Sequence, residues 1–154
     1  MTEHLRLIAR HLAHLQRMRE YLVYSTQRVQ QIFPIDDWAA LSFDQHEALA
    51  AFRVRFSEFQ EHLGKTMRAV AIEEEVDVER FGSVLAFMEK LGVLESIERW
   101  KLIRELRNAV NHEYEDDTER LAQFFTELVK ATPELFACHE RLVVFCAKAY
   151  TIEP

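Results

Sequence analysis

The chain has 154 residues, of which 49% are hydrophobic, so it fits one domain with one continuous core and needs no disulfide staples. Only three glycines and three prolines punctuate it, which excludes a many-turned sheet and favours a few long helices. A net charge of −7 argues against general nucleic-acid coating, which depends on an excess of Lys and Arg.

The first predicted helix runs from about Glu3 to Ile32. Leu5, Ile8, Leu12, Leu15, Met18, Leu22, Val29 and Ile32 recur at three- and four-residue intervals, as one buried stripe requires. Pro34 ends it, and residues 34–42 read as a loop. Ser42 and Gln45 form a capping box for a second helix, whose stripe is Leu49, Phe52, Phe56, Phe59, Leu63, Met67 and Val70. Helically spaced aromatics of this kind belong to a core rather than a cofactor site. The acidic run Glu73-Glu74-Glu75 with Asp77 suits the approach to a helix N-terminus better than a C-terminus. Helix two is therefore expected to end near Ile72 and helix three to start near Val78, with Gly92 as its C′ residue. Helix four is expected from about Ser96, with Ile97, Trp100, Ile103 and Val110 inward. Asp116 or Asp117 caps helix five, and Pro133 predicts a kink or a restart within it. These elements predict a single all-α domain over residues 1–154, an up-and-down antiparallel bundle of about five helices.

No stretch approaches the roughly 20 apolar residues of a membrane span, and the N-terminus lacks a signal-peptide pattern. A soluble, cytoplasmic protein with no membrane contact is expected. Cys138 and Cys146 lie eight apart in one helical pattern, about 12 Å along the axis, too far for a disulfide. They read as core residues in a reducing compartment. Paired Glu-x-x-His, Cys-x-x-Cys, His-Glu-x-x-His and glycine-rich phosphate-loop patterns are all missing, so no metal or cofactor is expected. His4, His11 and His14 share one side of helix one, as a solvated polar flank or a surface metal site. Charge is uneven. Arg6, Arg10, Arg17, Arg19 and Arg28 face the single acid Glu20 between His4 and Ile32. Arg99, Lys101, Arg104 and Arg107 face only Glu98 and Glu105 between Ser96 and His112. If adjacent in the fold, the two segments could hold a polyanion.

The most informative stretch is Arg104-Glu-Leu-Arg107-Asn108-Ala-Val-Asn111-His112-Glu-Tyr114. On the residues alone, Arg107 could pair with a carboxylate, His112 could cap the last helical carbonyls, and Tyr114 could be core. The same residue types also suit proton transfer and phosphate binding. Histidine transfers protons near neutral pH, and arginine donates two parallel hydrogen bonds to phosphate. Residues five apart stand about 140° apart on a helix. Arg107 and His112 therefore share a site only if the helix ends before His112 or a second protomer completes the cleft. Glu113, Glu115, Asp116, Asp117 and Glu119 bring negative charge close by, which repels RNA if they face the site and raises a histidine's pKa.

This segment resembles the Arg-x4-His-x-Tyr motif of HEPN-domain proteins, in particular the HepT-like toxins paired with minimal nucleotidyltransferases. Lys90-Leu-Gly-Val-Leu and Trp100 are also similar to these families, and the specific matches span roughly residues 88–115. The resemblance implies a metal-independent endoribonuclease toxin working at the cleft of a homodimer. In it, His112 is the general acid/base, Arg107 the phosphate clamp and Asn108 an orienting residue, with Arg104, Lys101 and Arg99 contacting RNA. It also implies a minimal nucleotidyltransferase antitoxin that attaches AMP to Tyr114. The alternative is a non-catalytic helical substrate-binding partner of a two-component nucleotidyltransferase.

Overall fold

The computed structural model describes residues 1–109 and 116–153. Five helices follow one another: α1 (Glu3–Gln30), α2 (Phe43–Glu73), α3 (Phe81–Lys90), α4 (Ile97–Asn108) and α5 (Thr118–Tyr150). A 3-10 turn, Trp38–Ala40, lies between α1 and α2. Among the described residues there is no strand, and no helix is long and apolar enough to cross a membrane.

Local chemistry sets the helix ends. Thr2, Ser42, Ser96 and Asp117 each accept a hydrogen bond from a first-turn N–H, and Ser42 and Gln45 complete the capping box. α2 persists to Glu73 because its end is a Schellman turn. Val76 N–H donates to Ala71 O and Glu75 N–H to Ile72 O, while Glu75 takes a left-handed φ of 60°. The acidic run is thus part of the α2 terminus, and α3 begins at Phe81 rather than near Val78. Gly92 closes α3 in the same way, at φ 79°. α1 stops at Gln30, two residues short of the expected end.

The expected restart at Pro133 does not occur, because α5 is one helix of 33 residues with Pro133 inside it. Leu128, Ala131, Thr132, Leu135 and Cys138 are buried on either side of the proline. Their packing offsets the hydrogen bond that proline removes, worth roughly 3 kcal/mol with its steric strain.

α2 is the central helix and touches each of the other four. Its rings Phe52, Phe56 and Phe59 are fully buried with Ile8, Leu15 and Leu22 of α1 and Leu121, Phe125 and Leu128 of α5. Each side chain of this size stabilises the fold by roughly 1.5–3 kcal/mol when taken fully out of water. His4 meets Ala69, and Arg55 lies over Tyr21, so α1 and α2 are antiparallel. Arg107 reaches Ser57 while Trp100 meets Gln60, so α4 is antiparallel to α2. Arg99 pairs with Glu134, and Arg141 donates to Val93 O, so α5 runs against α4. The structure is an all-α bundle in which α5 runs parallel to α2, as Arg53 lies over Phe124 and Phe59 meets Phe136, and Cys138 and Cys146 are buried free thiols.

A candidate anion-binding cleft around the motif arginine

α4 places Trp100, Ile103 and Arg107 on its inner face at three- and four-residue spacing, and all three are buried. For Arg107 that position is paradoxical, because a guanidinium keeps its charge. Two partners on α2 resolve it. Nη1 donates to Ser57 O at 2.9 Å, and Nη2 donates to Glu61 Oε1 at 3.2 Å. Burial draws the Arg107 pKa below the usual arginine value, Glu61 opposes that, and Arg104 adds to it. Its Nε is buried without a hydrogen-bond partner. The carboxylate-pairing role open to Arg107 from sequence is therefore one it does perform.

Arg107 also forms one wall of a cleft of about 380 Å³ between α2 and α4, to which α3 contributes Phe81. The other walls are Glu61, Lys65, Arg68 and Arg104, over a floor of Gln60, Gly64 and Trp100. Gln60 is 2% exposed. Its amide nitrogen donates to Trp100 O at 3.4 Å, leaving its oxygen buried without a partner. A Cβ at Gly64 would sit 3.3 Å from the Phe81 ring and 3.7 Å from the Trp100 ring, so glycine lets both aromatics close against α2. The cleft sets Lys65, Arg68, Arg104 and Arg107 against the single carboxylate of Glu61. In a chain of net charge −7, that local reversal of sign concentrates anions.

The sequence-predicted residues divide. Arg104 and Arg107 share the cleft. Lys101 and Asn108 are exposed on α4, three before and four after Arg104, and so continue its flank. Arg99 lies on the opposite side of the helix and faces α5. Its Nε and Nη2 donate to the two carboxylate oxygens of Glu134 at 2.7 and 2.5 Å. His112 and Tyr114 lie outside the described residues, as do Val110 and Asn111. Sequence reasoning missed the α2 half of the cleft. Glu61, Lys65 and Arg68 recur at helical spacing away from the core stripe, a polar flank that could have flagged it.

The histidine flank acquires an unforeseen member. His11 Nδ1 lies 3.2 Å from His62 Nε2 of α2, and the His14 ring is 5.7 Å from His62. Burial and the neighbouring positive groups push His62 down to about 4. Among the described residues, no group of three His, Cys, Asp or Glu side chains is arranged to hold a metal ion. Comparison with protein-family models, curated proteins and solved structures returned no match.

Proposed function

We propose that this chain is a metal-independent endoribonuclease of the HepT-like kind, acting on cytoplasmic RNA as a homodimer. The observation that supports this most directly is the cationic cleft with the motif arginine in its wall. In this reading, the cleft holds a backbone phosphate near the Arg107 guanidinium, with Arg104 and Lys101 extending the contact along α4. Charge growing on the phosphorus oxygens meets a fixed cation, which replaces solvent reorganisation. His112 takes the proton from the RNA 2′-hydroxyl or returns one to the leaving oxygen, and Asn108 orients the reacting groups. A minimal nucleotidyltransferase silences the enzyme by attaching AMP to Tyr114, because the added phosphate carries negative charge to the place where RNA binds.

One observation favours a second reading. Arg107 already holds Ser57 and Glu61, and the cleft is small and partly aromatic. These features also suit the helical substrate-binding partner of a nucleotidyltransferase, which would take a small anionic ligand and cleave nothing.

The test is cleavage of total RNA by the purified protein in EDTA, compared with His112→Ala and Arg107→Lys. Thermal melts would verify that each variant is folded. Cleavage by the wild type, abolished in His112→Ala and reduced in Arg107→Lys, supports the nuclease. Sedimentation should then give about twice the 18.2 kDa chain mass. Full activity in His112→Ala refutes the assigned roles, and a wild type that cuts no RNA turns the choice to the substrate-binding partner.

A further inference from the structure

α1 carries a second stripe, outside its core face. Arg10, His14, Arg17, Tyr21, Tyr24 and Arg28 recur at intervals of four, three, four, three and four residues, and all six are exposed. Tyr21 is 54% and Tyr24 63% exposed. At 1.5 Å per residue the stripe is about 27 Å long. Single exposed apolar residues are ordinary on a protein surface. Two tyrosines interleaved with arginines along one line are not scattered.

α2 widens the stripe. The Arg55 guanidinium carbon lies 4.8 Å from the centre of the Tyr21 ring. Together with Ala48 and Ala51, Arg55 closes a shallow hollow of about 150 Å³ against Tyr21, Tyr24 and Arg28. At the other end the stripe runs into the His11–His62 pair. Lys65 acts electrostatically on both of these histidines and also lines the cleft that contains Arg107. Lys65, three residues beyond His62 on α2, thus joins the end of the stripe to the cleft, and the positive charge of the two lies on their arginines and on Lys65. Carboxylates also lie along this path: Asp44 shares a hollow with Arg28, Glu61 lines the cleft, and Glu20 and Glu58 are exposed on α1 and α2.

We infer that this path is a track for single-stranded RNA, with bases stacked on Tyr21 and Tyr24 and phosphates led by Arg17, Arg28 and Arg55 toward the cleft. Cationic grooves with spaced aromatic rings bind single strands without regard to sequence, because every base presents a flat face. A second copy of the chain fits the same surface poorly. Around a two-fold axis the stripe would oppose itself, and its arginines would meet arginines. The inference rests on the RNA reading above but does not depend on cleavage.

The experiment is fluorescence anisotropy with a labelled oligouridine of about 12 nucleotides, a length within single-strand site sizes. Its 2′-O-methyl sugars remove the nucleophile, so the wild-type protein binds without cutting. Tyr21→Ala/Tyr24→Ala should weaken binding on the order of 10- to 100-fold, while Tyr21→Phe/Tyr24→Phe keeps most of it. Arg17→Ala/Arg28→Ala should flatten the dependence of log K on log salt by about 1.4, two phosphate contacts at roughly 0.7 each. Wild-type binding unchanged by the alanine pair overturns the track while leaving the RNA reading intact. If the wild type binds no RNA, the underlying reading fails as well. A wild-type dimer that becomes monomeric in Tyr21→Ala/Tyr24→Ala assigns the stripe to contact between copies and overturns the track.

Discussion

Lowering the pH should destabilise this bundle through one buried ring, His139. It is 2% exposed, and its Nδ1 lies 3.1 Å from Arg19 Nη1. Arg19 can only donate, so Nδ1 accepts and the ring is neutral. The Arg19 guanidinium is held over the Phe136 ring, 4.5 Å from its centre, and pairs with Glu140 at 2.7 Å. A second positive charge on His139 would be buried against it. Burial, with Arg19 adding in the same direction, lowers the pKa from 6.5 to about 4. Because the folded state binds this proton more weakly, its contribution is fully present above pH 6.5 and is lost as the pH falls toward 4. Between pH 7.5 and pH 5 the loss is about 2 kcal/mol, taking 1.36 kcal/mol per pKa unit. The assay is urea unfolding at both pH values for the wild type and for His139→Gln, which keeps an acceptor for Arg19 but takes no proton. His62 titrates alike in both proteins and cancels. The variant should lose about 2 kcal/mol less on acidification than the wild type. Equal losses in the two proteins would refute the assignment of a neutral, proton-resisting His139.

Three further outcomes follow from particular contacts. Gly64→Ala should change stability by less than about 1 kcal/mol, since relief of the helical glycine penalty opposes a shift of the half-buried Phe81 ring, whereas Gly64→Leu should destabilise by about 1–3 kcal/mol; chemical unfolding measures both. Ser42→Ala removes the acceptor for Gln45 N–H and should lower stability by about 1 kcal/mol in the same assay. Burial pushes the thiols of Cys138 and Cys146 up to about 12. In native protein they should therefore react with a thiol reagent at neutral pH only as fast as the chain opens, and prompt labelling of either would contradict their burial.

Much of the fold is encoded locally, which is why the sequence reveals it. The capping box at Ser42, the cap at Asp117 and the C′ glycine at Gly92 are all decided within a few residues. The acidic run at 73–75 misleads because charge and helix dipole are worth fractions of a kcal/mol, while the Schellman turn satisfies two backbone carbonyls at once. Of the kink or restart that Pro133 suggests, the restart does not occur, since core packing on both sides outweighs a single missing N–H. The candidate site was half legible. The motif resemblance singles out Arg107 and the local run of basic residues Arg104, but which way Arg107 faces depends on Ser57 and Glu61, 50 and 46 positions earlier. The cationic wall of Lys65 and Arg68 likewise becomes visible only once α2 and α4 lie side by side. The roles proposed for His112, as general acid/base, and for Tyr114, as AMP acceptor, come from the motif resemblance.

The placement of α5 also bears on how the chain is made. The Phe59 ring of α2 finds its edge-on aromatic partners in Phe136 and His139, the first of them 77 positions later. At the usual 5–20 residues per second, roughly 4–15 s pass on the ribosome between synthesis of that ring and of its cover. During this interval the α1–α2 hairpin has the apolar side of its second helix open to solvent. A message truncated within α5 would release α1–α4 with this side of α2 incompletely covered, a ready substrate for proteolysis or coaggregation.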